Sequence, residues 1–548
     1  MPVLRFKPGR VEEALRLPLT EALKAVERLK IEAELTEEGY VEFEIEVDRP
    51  DMYTLEGVAR QLDGLLGRAR GLPSYEVVDS GFTIHVSDVP TRPYIAGAVV
   101  WDVNVDEDFL EELIQFQEKL HISLGGNRER VAIGLHDLSK LPSKRLLYRF
   151  ERIDNVVFQP LGYSEEMSLR RVLEETKQGR EYGSLSLRDG MHPVLYSGSD
   201  VISVPPVINA ELTRIEPGTR HVFIDVTGTS LDTVLKTLTI IAANLAERSP
   251  SRRIGRVRVV AGWGELNEPS MAPEKMSLNP GYVSSTIGVE MDAGEVAEKL
   301  EAMRFGASVE GGIVEVLVPA YRVDILHPVD LVEEVVLALG IEALPPKPLE
   351  RMMRGRLLPS RYWEREARKL LVGLGFVEVM GYSLTSCRER ILFPAEAGLL
   401  KLSNPVGEES ACLRGSLAGQ LLSIASRNQH LIPVRLFELG EVYYESRGRI
   451  EARKRLGILV MDNKAGYEDI QAVVYTLIRL LGDEILRVER WETPLTIPGR
   501  TAWVETRSGL VAVLGEVHPS VLEEMGIEYP VALAEIDYGS VSRGVPRP

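Results

Sequence analysis

Asp324, Asp330, Glu333 and Glu334 fall within one short stretch, Pro319 to Gly340, and no other feature limits the fold of this chain as sharply. The pattern predicts a short apolar strand ending at Asp324, a turn holding Pro328, and a helix starting at Asp330. One reading is a helix cap. Asp330-x-x-Glu333 has the spacing at which an N-cap side chain and a carboxylate three residues on satisfy orphan backbone donors. Acidic groups there also suit the positive end of the helix dipole. The cap leaves Asp324 and Glu334 without a role. Four carboxylates crowded on one turn repel each other unless a hard cation sits among them, and Mg²⁺ takes carboxylate oxygens plus water.

A chain of 548 residues is too long for one core. At about 100–200 residues per domain it implies three to five of them. Apolar content of 44% beside 27% charged residues is that of a globular protein rather than a disordered one. A net charge of −18 argues against a generic nucleic-acid binder but leaves room for a local basic face. Between Arg351 and Lys369 lie seven Lys or Arg and two Glu, with Tyr362 and Trp363 among them. That run is either a solvated surface or a contact for RNA phosphate and bases. Arg252, Arg253, Arg256 and Arg258 form a second basic knot. Cys387 and Cys412 are the only cysteines. They can form no metal cluster and at most one disulfide, which favours a reducing compartment. With no apolar run like that of a signal peptide at the N-terminus and none near the length of a membrane span, the expectation is a cytoplasmic protein with no membrane partner.

Four sections follow along the chain. Residues 1–88 alternate helix and strand patterns, with a helix over Leu19–Leu29 and a half-buried strand over Val41–Val47. Asp48-Arg49-Pro50-Asp51 then leads into a helix at Thr54–Arg60, with Asp48 or Thr54 as its cap. Residues 89–262 read as a mixed α/β domain. In it Gly125-Gly126-Asn127-Arg128 is a turn or a phosphate loop. Residues 270–347 surround the acidic turn and end in a Pro-rich linker, Leu344–Pro348. Residues 352–548 open on a helix from Tyr362 to Leu374 and a strand from Phe376 to Tyr382.

The acidic stretch resembles the "R-x-D-I…D-L-V-E-E-V…G" block of the phenylalanyl-tRNA synthetase β subunit, and the words around Asp48 resemble that family's "N-R-P-D" block with Asp for Asn. The resemblance covers nearly the whole chain, in matching order, and is to the archaeal and eukaryotic type. It implies that Asp324, Asp330, Glu333 and Glu334 bind Mg²⁺. It also implies a partner, a catalytic α subunit in an α₂β₂ tetramer, together with tRNA(Phe), and ATP and phenylalanine through α.

The last section resembles a class II synthetase core through Leu402–Leu417, Pro433–Tyr443 and Gly515–Leu522. Active cores place an Arg on the strand after the "Gly-x-Val-Phe" words to clamp the ATP α-phosphate. Here that position is Tyr444. The late Gly-x-Gly-x-x-x-Arg is replaced by Val531–Tyr538, without the glycines or the Arg. The expected fold is therefore α/β and α+β multidomain. It would comprise a mixed α/β editing domain, a small metal-binding domain, and an antiparallel class II-like sheet flanked by helices and lacking the adenylation chemistry.

A pocket for phenylalanine rejects tyrosine poorly, because excluding one added hydroxyl gains only about 10². A second site that hydrogen-bonds the hydroxyl does far better. The family carries this hydrolytic site on its β subunit, and the matching block here is Pro205–Thr213. Glu211 aligns with the residue that recognises the hydroxyl, and Asn209 and Thr213 could position the ester or a water. His121 and His136 read as structural, and no Ser-His-Asp or Cys-His arrangement is apparent in the sequence. The alternatives are a purely structural, tRNA-docking subunit with a decayed pocket, and a magnesium-dependent hydrolase acting at the acidic cluster.

Overall fold

The computed structural model describes residues 2–346, 348, 355–388, 390–393 and 399–539. The chain divides into two compact units, Met1–Pro348 and Leu349–Pro548.

The first unit begins with a three-stranded antiparallel sheet in the order Val3–Phe6, Val41–Glu44, Glu32–Leu35. Val41–Glu44 alternates buried and half-buried residues, as the sequence predicts. Leu19–Glu27 and Leu55–Leu65 are helices, and the Thr54 hydroxyl caps the second by accepting from the Gly57 amide.

A ten-stranded sheet follows. Its path runs Ile208–Asn209, Asp200–Val204, Met191–Ser197, Arg145–Arg152, Glu76–Ser87, Arg253–Ala261, Tyr94–Val100, Val222–Gly228, Val131–Asp137. Gly264–Glu268 pairs with Arg253–Ala261 off this path. The sheet thus takes strands from outside residues 89–262 on both sides. Side-chain contacts link its two end strands along a seam, where the Asn209 side-chain amide donates to the Leu135 carbonyl oxygen (3.3 Å).

Next come three antiparallel strands in the order Glu274–Leu278, Ile313–Val318, Gly306–Glu310, with helices Ala293–Ala302 and Pro328–Leu339 against them. One apolar core joins this segment to the N-terminal one; Val58, Leu62, Met303, Phe305 and Val335 are all buried in it. Gly64 permits the contact. A Cβ at that position would lie 2.2 Å from the Ala302 carbonyl oxygen.

The second unit is built on a seven-stranded sheet in the order Val377–Glu378, Val434–Ser446, Arg449–Met461, Val531–Asp537, Val511–Val517, Thr496–Thr506, Ile485–Arg490. Only the edge pair Val377–Glu378 with Val434–Ser446 is parallel. Helices Pro359–Gly373 and Tyr467–Leu480 contribute to one apolar core and Ala418–Arg427 to another. The strand predicted over Phe376–Tyr382 is confined to two residues. Cys387 and Cys412 are bonded to each other, with Cα atoms 5.2 Å apart, so the single disulfide the sequence allows is formed. The formed bond removes the argument from cysteine usage for a reducing compartment. Among the described residues no helix is long and apolar enough to cross a membrane.

Candidate functional site

The acidic turn folds differently from either reading of its sequence. The strand ends at Val318, and Pro319–His327 is irregular. The helix starts at Pro328, with His327 as N-cap. Proline at the first helical position has its φ already set and no amide to leave unsatisfied, which moves the start ahead of Asp330. Asp330 is therefore not the cap. It sits at the third helical position, and its Oδ2 accepts from the backbone amides of Leu326 (2.8 Å) and His327 (2.7 Å).

The other three carboxylates are held by two cations, Arg322 and Lys30. The buried Arg322 guanidinium donates to Asp324 (2.7 and 2.9 Å) and to both oxygens of Glu334 (2.6 and 3.1 Å). Glu333 points away to Lys30 Nζ at 2.7 Å, which also holds Glu46 at 2.9 Å. Burial works against the Lys30 charge, yet these two partners hold its pKa up at about 12. Among the described residues no three His, Cys, Asp or Glu are placed to share a metal ion. Arranged this way the four carboxylates do not fit one Mg²⁺, because Arg322, Lys30 and two amides occupy them.

Arg49 joins this turn to the Asp48–Asp51 block. Arg49 lies 3.9 Å from Glu334 and makes two hydrogen bonds to Asp51, which also receives Arg60. Burial opposes ionisation of Asp51, but Arg49, Arg322 and Arg60 outweigh it and hold its carboxyl down at about 2. The two acidic words of the sequence thus form one buried charge cluster.

The Pro205–Thr213 block lies at the seam of the ten-stranded sheet. Ile208–Asn209 is the end strand, and Glu211–Thr213 is a single 3₁₀ turn. Backbone bonds from Ala210 to the Ile202 oxygen and from Glu211 to the Gln159 oxygen, both 2.9 Å, hold the segment. Asn209 Oδ1 accepts from the Ser203 hydroxyl (3.0 Å), and its amide group reaches Leu135 across the seam. Glu211 is partly exposed. Its Oε2 accepts from the Gly162 amide (2.8 Å) and its Oε1 from Arg214 (3.1 Å). The Gly162 bond first, then Arg214, pulls the Glu211 carboxyl below the usual carboxylate range.

Thr213 does not line the surface with them. It is 1% exposed, and its hydroxyl faces inward to His136 Nδ1 at 2.7 Å. It is too buried to touch an ester or a water in the seam, contrary to the expectation from sequence. Asn209 and Glu211 share a surface segment; Thr213 lies beneath it. His136 Nε2 lies 2.7 Å from Asp225 Oδ1, so a hydroxyl, an imidazole and a carboxylate do line up here. The sequence could not show this, because the three residues come from a turn and two different strands. A partial signal was present in Gly134, whose missing side chain leaves room for the pair: a Cβ there would lie 2.2 Å from Asp225 Oδ1.

The Gly125–Arg128 stretch is a turn, not a phosphate loop. Gly126, Asn127 and Arg128 all have positive φ, and the Arg128 guanidinium donates to the Pro206 and Val207 carbonyl oxygens (3.1 Å each) and to Glu118 (2.5 Å). It therefore stitches the same seam. His121 is structural, as expected. Its Nε2 accepts from the Ile133 amide at 2.9 Å, and burial lowers its pKa. Trp363 is buried and stacked on Tyr538 with centroids 4.5 Å apart, so it is closed to RNA bases. In the basic run Arg361, Arg368 and Lys369 pair with Glu364, Glu378 and Glu366, while Arg351 and Arg354 lie outside the described residues. In the other knot Arg252 pairs with Glu247 and Arg258 with Glu265.

In the second unit Tyr444 donates to Glu451 (2.7 Å), and Arg453 lies over its ring at 4.7 Å. Tyr444, Arg453, Lys454, Trp503 and Tyr538 line one cavity of about 760 Å³. Lys454 is turned to Glu364 at 3.1 Å.

The family model described as "Phenylalanyl tRNA synthetase beta chain CLM domain" matches residues 345–538, and the "tRNA synthetase B5 domain" model matches residues 276–341. A phenylalanine–tRNA ligase β subunit from Aeropyrum pernix is 45% identical over 554 aligned positions covering 100% of both chains. One from Sulfurisphaera tokodaii is 36% identical over 98% of both, and one from Saccharolobus solfataricus 38% over 93% of both. The crystal structure of an N-terminal fragment of the phenylalanyl-tRNA synthetase β subunit from Pyrococcus horikoshii is similar at a TM-score of 0.58 and 36% identity. That match covers 62% of this chain and 100% of the fragment.

Proposed function

This chain belongs to the phenylalanine–tRNA ligase β-subunit family, a component of an aminoacyl-tRNA ligase, and from that premise we propose that it hydrolyses Tyr-tRNA(Phe) at the seam of its ten-stranded sheet. The catalytic α subunit forms the aminoacyl ester from ATP, phenylalanine and tRNA(Phe) within an α₂β₂ assembly. The observation that carries the hydrolytic reading is Glu211. Its partly exposed carboxylate is fixed by the Gly162 amide and Arg214 on the same short segment as Asn209. A carboxylate has about four lone-pair sites, so two bonds leave it able to accept a tyrosine hydroxyl. Phenylalanine offers no such donor. Hydrolysis then needs only a water held against the ester by oriented groups, without a covalent nucleophile. The test is hydrolysis of Tyr-tRNA(Phe) by the assembled enzyme with and without Glu211.

One observation favours the second reading, a tRNA-docking subunit with a decayed pocket. Both polar ends of the Asn209 side chain are bonded within the protein, to Ser203 and Leu135. The magnesium-dependent hydrolase reading loses its support, since the acidic groups are bonded to cations and amides of the chain itself. We route no step through a metal. Carboxylates are hard-cation donors in general, but all four of Asp324, Asp330, Glu333 and Glu334 are engaged within the chain. We propose that Mg²⁺ enters only in exchange for Arg322 and Lys30. We propose functional segments at residues 1–88, 89–262, 270–347 and 352–548, the second completed by Glu76–Ser87 and Gly264–Glu268 from its flanks.

A further inference from the structure

His136 is fully buried between a carboxylate and a hydroxyl that are themselves buried. Asp225 is 1% and Thr213 1% exposed. An ionised aspartate carboxylate only accepts, so the imidazole Nε2–H donates to Asp225, and Nδ1 is left to bond the Thr213 hydroxyl. The residue types are those of a nucleophilic triad, but the arrangement is not one. The hydroxyl has no opening to a substrate, and the two ring nitrogens are reversed relative to the usual triad.

The relay does connect the two ends of the sheet. His136 belongs to the end strand Val131–Asp137 and Asp225 to its neighbour Val222–Gly228, with Gly134 directly opposite Asp225. Thr213 belongs to the turn that follows the other end strand, one residue from Leu212 and two from Glu211. The neighbouring Leu135 carbonyl receives Asn209. Two successive residues of one strand, Leu135 and His136, therefore hold both ends of the segment Asn209–Thr213. An apolar residue at 213 would be the cheaper way to fill a buried position. A satisfied polar network instead specifies one geometry.

We propose that His136 is a positioning residue of the hydrolytic site. Held by Asp225 and bonded to Thr213, it clasps the Asn209–Thr213 segment across the seam and sets where Glu211 stands. This inference rests on the hydrolytic reading above.

The test uses the full chain assembled with its catalytic partner and Tyr-tRNA(Phe) as the probe. Thr213→Val keeps the shape and removes the hydroxyl, and Thr213→Ser keeps the hydroxyl. With the hydrogen bond gone we expect kcat for hydrolysis to fall about tenfold in Thr213→Val, the scale of one buried hydrogen bond, with KM for the mischarged tRNA within about twofold. Thr213→Ser should restore kcat, and His136→Ala should match Thr213→Val. Wild-type hydrolysis with an unimpaired Thr213→Val overturns the clasp alone. Equal loss in Thr213→Val and Thr213→Ser, or loss of phenylalanine charging in parallel, reduces the relay to fold stability and also overturns it. Absence of hydrolysis in the wild type overturns the hydrolytic reading and the clasp with it.

Discussion

Arg322 grips Glu334 through both carboxylate oxygens, at 2.6 and 3.1 Å, while its remaining edge holds Asp324. A guanidinium thus stands where the sequence pattern places a metal ion. Replacing it gives the first prediction. In Arg322→Gln the two buried carboxylates lose their cation, so the unfolding midpoint of the variant should rise on adding Mg²⁺ by more than that of the wild type. Calorimetry with Mg²⁺ and with Ca²⁺ or chelator as controls checks this. No Mg²⁺-dependent gain, together with unchanged metal content in Asp324→Asn/Glu334→Gln, would leave the turn as a pure ion-pair device.

The cluster at Asp51 predicts a pH dependence. Its folded pKa is about 2, depressed from an ordinary value of 3.8. A depressed carboxyl adds stability that is present above the unfolded pKa and is lost as pH falls through the folded one. Asp51→Asn should therefore destabilise the chain at neutral pH by about 3–5 kcal/mol, because it strands buried Arg49 and Arg60. The deficit against wild type should shrink as pH drops from about 4 toward 2. Denaturation midpoints of both proteins across that range decide it, and a deficit that does not change with pH would count against the ion-pair account.

These two cases mark how far the sequence could be read. Amphipathic spacing located Leu19–Glu27, and strict alternation located Val41–Glu44, because each is a local pattern set by one buried face. The acidic turn was found but its partners were not. Lys30 and Arg49 lie some three hundred residues from Glu333 and Glu334, and no local rule links them. Asn209 and Glu211 were legible as members of one local block, whereas the partners of His136 were not. Its two hydrogen-bond partners are 77 and 89 residues away, Thr213 on the turn after the far end strand and Asp225 on the adjacent paired strand.

Tyr444 in place of a phosphate-clamping Arg predicts a loss of chemistry. This chain alone should give no ATP–pyrophosphate exchange with phenylalanine above background. The nearby cations are already engaged, Arg453 with the Tyr444 ring and Lys454 with Glu364. Clear exchange by the isolated chain would show that the second unit has kept an adenylation site.

Glu211 also predicts how hydrolysis should vary with pH. Its carboxyl is held below the usual range by Gly162 and Arg214, so it stays ionised at and above neutral pH. The preference for Tyr-tRNA(Phe) over Phe-tRNA(Phe) should therefore be flat from mildly acidic pH upward and decline only in acid, where protonation removes the acceptor. A preference that titrated near neutrality would point to a different recognising group.

The central claim is that Glu211 marks a working hydrolytic site, and deacylation of Tyr-tRNA(Phe) by the assembled enzyme carrying Glu211→Ala tests it most directly. Loss of a charged hydrogen-bond partner is worth about 1.5–3 kcal/mol, so hydrolysis should fall roughly ten- to a hundredfold while phenylalanine charging stays near the wild-type rate. Undiminished deacylation in Glu211→Ala would contradict the account and make the tRNA-docking reading the better one.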